Sequence, residues 1–270
     1  MDCELFTTEH KKLTQVVRLW LTLALLILLT SANAQGYNAS RIFAHNDYAR
    51  ALPFYTAYEL QVGYIEADVF LMDGEILVAH HKQEIESGKT LETLYLKPLL
   101  KQINKNKGSV YQDPSRTLTL MVDLKTEGDV TLRAVVDQIE KYPDLLSCST
   151  LHFLISGSVP DPVKWNDYPP FIYFDGRPGI SYTPEQLKKI SMISTSFGAH
   201  INWNGSGKIP EKAQNKIRVL VDEAHSKGKK FRFWATPDFQ NAWQELMDLQ
   251  MDVIVTDDVT ALAAYLNNQK

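Results

Sequence analysis

The strongest constraint on this chain's fold is a rhythm of short apolar runs separated by longer segments with helical periodicity. Runs rich in β-branched and aromatic residues recur at 41–45, 64–71, 117–124, 151–156, 171–174, 190–195, 230–235 and 252–256. Between most of them lie segments whose apolar residues repeat at helical spacing: 91–103, 130–142, 184–189, 210–227, 239–249 and 259–266. Gly or Pro marks many junctions, including Gly63, Gly108, Gly157, Gly228 and Pro237. Eight strands alternating with helices predict an α/β chain folded as a (β/α)8 TIM barrel. The same alternation also allows an open doubly wound sheet. Neither an interior linker nor an internal repeat interrupts residues 35–270, which read as a single barrel domain.

Residues 1–34 follow a different rule. Lys11, Lys12 and Arg18 precede the apolar run 19–29, and Ala32-Asn33-Ala34 offers small residues at a cleavage site. This is the pattern of a secretory signal peptide. The apolar run is well short of the roughly 20 residues that a spanning helix needs. The expectation is an exported protein, periplasmic or extracellular, with no membrane span after cleavage. Cleavage would also remove Cys3, leaving Cys148 beside Leu151 and Phe153 as a buried small hydrophobe. A formal charge of −4, from 28 basic and 32 acidic residues, offers no basic surplus for binding nucleic acid.

The polar residues that interrupt the apolar runs point to chemistry. Glu66 and Asp68 are two apart in a strand, so they share one face. If that face points into a barrel, two carboxylates stand where Val or Ile belongs. A hard divalent cation such as Mg²⁺ or Ca²⁺ would relieve their repulsion through oxygen ligands. An edge strand with both acids in water is the alternative. The run 117–124 is apolar until Asp123 and Lys125 appear on one face near its C-terminal end, the end where barrel enzymes place their reacting groups. Asp123 is a candidate third metal oxygen and Lys125 a candidate anion contact; an ion pair capping the strand is the other reading.

His45 ends the first strand. His80 and His81 end a return strand, 75–79, that follows an Asp73-Gly74 turn. Histidine is the natural acid and base near neutral pH. If that strand continues, His81 alternates away from His80. Trp234 and Arg232 share the inner face of the seventh strand. Arg177, Asn202 and Trp203 lie on later loops.

Taken in order, these residues resemble a family. His45, then Gly63-Tyr64-Ile65-Glu66-Ala67-Asp68-Val69, Asp73-Gly74 and Val78-Ala79-His80 resemble the PLC-like phosphodiesterase superfamily of glycerophosphodiester phosphodiesterases and phosphatidylinositol-phospholipase-C-like barrels. Val122-Asp123-Leu124-Lys125-Thr126 is similar to the D-x-K-T of its sphingomyelinase-D-like members. Phe233-Trp234-Ala235-Thr236 and Met251-Asp252-Val253-Ile254-Val255-Thr256-Asp257 are similar to the closing "W-T-x … G-V-D-G-I-x-T-D". His45-Asn46-Asp47-Tyr48 resembles the altered-inheritance-of-mitochondria-type branch. Two departures stand out: the glycerophosphodiesterase "H-R-G" is His45-Asn46-Asp47, and the downstream "E-N-T" is absent.

The resemblance implies a hydrolase of a small-molecule or lipid head-group phosphodiester, and the signal pattern implies that it is secreted. It implies that Glu66, Asp68 and Asp123 hold one Mg²⁺ or Ca²⁺, with His45 as base and His80 as acid. Lys125, Asn46, Arg232 and Trp234 are the implied substrate contacts. Two other classes fit the residues: a non-catalytic binding barrel, and a glycoside hydrolase using Glu66 and Asp123 at a separation of roughly 5–10 Å.

Overall fold

The computed structural model describes residues 36–269. The expected signal peptide at 1–34 lies outside the described residues. From Asn38 onward the chain forms one compact unit. Nine strands form one sheet: β1 (Ile42–Ala44), β2 (Tyr64–Met72), β3 (Glu75–Val78), β4 (Leu118–Leu124), β5 (Leu151–Gly157), β6 (Ile172–Gly176), β7 (Ile190–Ser196), β8 (Lys230–Trp234) and β9 (Ile254–Thr256). Eight of them pair in parallel in the order β8-β7-β6-β5-β4-β2-β1-β9. A bridge between Arg232 and Val253 brings β8 to β9 and nearly closes the ring. β3 folds back antiparallel on β2, pairing Val69 with Val78. The expected barrel is therefore the observed one.

The strands are buried on both faces, which is why they read as near-continuous apolar runs. On β2, Ile65, Ala67 and Val69 are fully buried on one face. On the other face Tyr64 joins Phe43, Met121, Leu154, Met192 and Val255 in a cluster that fills the barrel. This filling gives way to polar side chains toward the C-terminal strand ends. There the register sets Asp68 beside Asp123, and Asp123 beside Ser156.

The expected helices depart from the periodicity at their ends, and short helices at Tyr55–Glu59, Pro143–Ser147 and Phe197–His200 lie outside it. The segment expected at 91–103 opens as a π-helical turn, Glu92–Leu96, and continues as Lys97–Lys105. The helix expected from Val130 begins at Gly128, because the Glu127 side chain accepts from the amides of Asp129 and Val130 and caps it. Among the described residues, no helix is long and apolar enough to cross a membrane.

Candidate active site

The first polar residue past β1 is His45. Its amide bonds the Thr256 carbonyl at the end of β9, which holds the ring at the seam between the first and last strands. Nδ1 lies 2.8 Å from Asp257 Oδ1, and Nε2 lies 3.5 Å from Glu66 Oε2. Asn46 takes a left-handed conformation (φ 49°), and its amide donates to Glu66 Oε2 at 3.2 Å. The Asn46 side chain meets Asp257 and Tyr48, so this candidate substrate contact spends its hydrogen bonds inside the protein.

Glu66, Asp68 and Asp123 converge: each offers an oxygen, and all three oxygens lie within 4.8 Å of one another. Asp68 Oδ2 is 2.8 Å from the Tyr48 hydroxyl, 3.2 Å from His80 Nδ1 and 2.9 Å from Lys125 Nζ. Lys125 also reaches Asp123 Oδ1 at 2.9 Å, while Ser156 donates to Asp123 Oδ2 at 2.7 Å. Gly157 makes this close packing possible. It has φ +76°, and a Cβ there would stand 2.6 Å from Asp123 Oδ1.

Electrostatics follow from that packing. Burial raises the Glu66 carboxyl above the ordinary value, and the neighbouring His45 pulls it partly back. Burial pulls the Lys125 ammonium down, but Asp123 and Asp68 outweigh it and hold it above the usual lysine value. Burial and the Asp68 carboxylate push the Tyr48 phenol up, so it stays a proton donor.

A cavity of about 250 Å³ opens at this end, with His45, Glu66, Asp123 and Lys125 on one side and Arg177, Arg232 and Trp234 on the other. Arg232 is almost wholly buried. Its guanidinium lies 4.2 Å above the Phe43 ring and 3.5 Å from Asp175 Oδ2, while Nε and Nη1 have no hydrogen-bond partner. Arg177 stacks 5.0 Å over Trp234 and bonds Asp175 at 2.8 Å. His80 does not line this cavity; it is 44% exposed, with Nδ1 on Asp68. The strand before it ends at Val78, so alternation no longer separates the two histidines. The His81 ring lies 4.3 Å from that of His80, and the His81 backbone amide donates to Glu84 Oε2 at the turn Lys82–Glu84.

The sequence reading missed Asp257, Tyr48 and Asp175 as site residues. Asp257 stood in plain view in the closing T-D, and Tyr48 in the H-N-D-Y run. Asp175 had no signal beyond a D-G-R that reads as a turn.

A parallel eight-stranded barrel with a carboxylate trio, two histidines and three cationic side chains at one mouth is a phosphodiesterase-type scaffold. Residues 33–145 match the model of the AIM6-like phosphodiesterase domain, and residues 230–260 match that of the glycerophosphoryl diester phosphodiesterase family. Altered inheritance of mitochondria protein 6 of Kluyveromyces lactis is 32% identical, over 83% of this chain and 71% of its own length. The homolog of that protein from Arthroderma benhamiae is 24% identical over 83% of each chain. The Lachancea thermotolerans protein is 23% identical, and the match spans 64% of its length. The crystal structure of a glycerophosphodiester phosphodiesterase from Parabacteroides distasonis shares the fold, with a TM-score of 0.56 and 15% identity over 87% of this chain and 99% of that one. The chain belongs to the AIM6-like branch of the PLC-like phosphodiesterase superfamily.

Proposed function

We propose that this chain is a metal-dependent phosphoric diester hydrolase, acting on a glycerophosphodiester or (lyso)phospholipid-type substrate through two histidines. One observation carries the reading: His45 and His80, from different elements, lean on the two carboxylates of a single strand face, Glu66 and Asp68.

The carboxylate trio suits a hard cation. Asp68 Oδ1 is buried without a hydrogen-bond partner, and Lys125 alone bridges two of three converging carboxylates. Glu66, Asp68 and Asp123 would hold Mg²⁺ or Ca²⁺. When bound, the cation neutralises charge on the phosphate and on the transition state. Lys125, fixed by Asp68 and Asp123, sets a permanent positive charge on the cavity wall for a non-bridging phosphate oxygen. Asp257 accepts the Nδ1 proton of His45, which leaves Nε2 to take a proton from the attacking water or hydroxyl. Asp68 orients His80 in the same manner, and the free Nε2 of protonated His80 delivers a proton to the leaving alkoxide. One proton enters at His45 and one leaves at His80, and solvent resets the pair. Arg232, Arg177 and Trp234 face the alcohol portion of the substrate across the cavity.

A carboxylate-pair glycosidase is disfavoured, because Asp123 is already tied to Lys125 and Ser156 and such a pair gives the two histidines no role. The test is turnover and binding of a panel of phosphodiesters by wild type, His45→Ala and His80→Ala. Each variant should lose about 10²–10⁴ in rate and keep substrate binding. Wild type inert toward every phosphodiester would favour a binding barrel, and full activity in both variants would overturn the two-histidine mechanism.

Export belongs to the same proposal, supported by the signal pattern at 1–34. Mass spectrometry of protein from the native host should find an N-terminus at or near Gln35; a mature product that keeps residues 19–29 would contradict it.

A further inference from the structure

The loop that carries His45 is held by a device the proposed chemistry does not use. Asp47 is fully buried. Its Oδ2 accepts from the Phe54 amide at 2.6 Å and the Tyr95 hydroxyl at 3.1 Å, and its Oδ1 lies 3.4 Å from Arg50 Nε. Burial raises the Asp47 carboxyl, against the pull of those partners. The loop begins and ends on non-glycine residues with positive φ, Asn46 at 49° and Phe54 at 65°. Asn tolerates that region, but Phe does not, so Phe54 is held there by its surroundings.

Arg50 extends this hub to the reacting end of the barrel. Nη1 donates to the Asp257 carbonyl at 2.6 Å, and Nη2 donates to the His45 carbonyl at 3.3 Å. The Asp257 side chain is 64% exposed, so packing does not fix it. Its backbone is gripped on both sides instead: Asp238 accepts its amide at 2.7 Å, and Arg50 takes its carbonyl. One guanidinium thus ties together the backbones of two residues that are 212 positions apart and meet through their side chains.

We propose that Arg50 is a positioning residue that sets the His45–Asp257 pair and so fixes the His45 proton on Nδ1. A planar fork anchored on a buried carboxylate can span both carbonyls, whereas a lysine offers a single point of charge. The catalytic consequence rests on the phosphodiesterase reading; the geometric one does not.

The experiment uses the full chain labelled with ¹⁵N-histidine, in wild type, Arg50→Lys and Arg50→Ala. It reads the tautomer of neutral His45, melting temperature, kcat and KM. Wild type should show the Nδ1–H form. Arg50→Lys retains a charge for Asp47 and should fold, yet it should move His45 toward the Nε2–H form. It should also lower kcat by up to about 100-fold with KM little changed. Arg50→Ala should do the same or more, and added guanidinium ion should restore part of its kcat. A folded Arg50→Lys with the wild-type tautomer and kcat would overturn the proposal. So would activity that falls only with the folded fraction while the tautomer stays put. Should wild type turn over no phosphodiester, a tautomer shift in the variants still supports the positioning role, and the functional reading alone fails.

Discussion

The two halves of the barrel mouth are built from opposite materials. The half from β1, β2 and β4 gathers Glu66, Asp68, Asp123 and His45, with the Lys125 ammonium bridging Asp68 and Asp123. The half from β6 to β8 gathers Arg177 and Arg232 around Asp175, with Trp234 as a wall. Each half leaves buried polar atoms unpartnered: Asp68 Oδ1 on the acidic side, and Arg232 Nε and Nη1 beside Asp175 Oδ1 on the other. Such atoms are destabilising unless a ligand satisfies them. On the proposed reading, the acidic half would take the cation and the proton transfers, and the basic half the grip on the substrate.

Substitutions on the two sides should therefore fail differently. Asp123→Asn should weaken divalent-cation binding in calorimetry and cut turnover by at least about 10²-fold, since metal stabilisation of charge is worth several kcal/mol. Arg232→Gln should act mainly on KM, by roughly 10- to 100-fold, the range of a lost hydrogen bond to a charged group. If Arg232→Gln instead lowers kcat alone, the division of labour is wrong.

The smallest effect is on stability. The Glu66 carboxyl is raised by burial, so its charged form burdens the metal-free fold at neutral pH. Wild-type protein gains stability relative to Glu66→Gln as pH falls from the raised folded-state value toward the ordinary carboxylate value. Glu66→Gln should therefore melt higher at pH 7 to 8, by roughly 2–4 °C per 1 kcal/mol recovered. The advantage should shrink on acidification. Equal melting temperatures at both pH values would show that the buried charge is already compensated.

In both halves the residues that interrupt apolar strands were legible in the sequence, and those that depend on how distant segments meet were not, for a physical reason. Glu66, Asp68, Asp123 and Lys125 break strongly apolar strands at period two, so their shared face follows from strand geometry alone. Arg232 and Trp234 were legible in the same way. Asp175 was not, because its partners Ser194 and Arg232 stand on β7 and β8, whose lateral order beside β6 the sequence does not show. The His45–Asp257 pair depends on closure of the first strand against the last. Alternation of His80 and His81 was expected only if the strand continued; β3 ends at Val78, and a strand rule does not survive past the strand. Arg50 carried no signal at all: its role depends on where two backbone carbonyls lie.

The most direct test of the account is hydrolysis of a phosphodiester panel with the full chain, in the presence of chelator and after adding back Mg²⁺ or Ca²⁺. The account predicts turnover of at least one glycerophosphodiester or lysophospholipid, abolished by chelator, restored by the cation, and absent from Asp123→Asn under every condition. Turnover indifferent to chelator, or an Asp123→Asn protein as active as wild type, would contradict it.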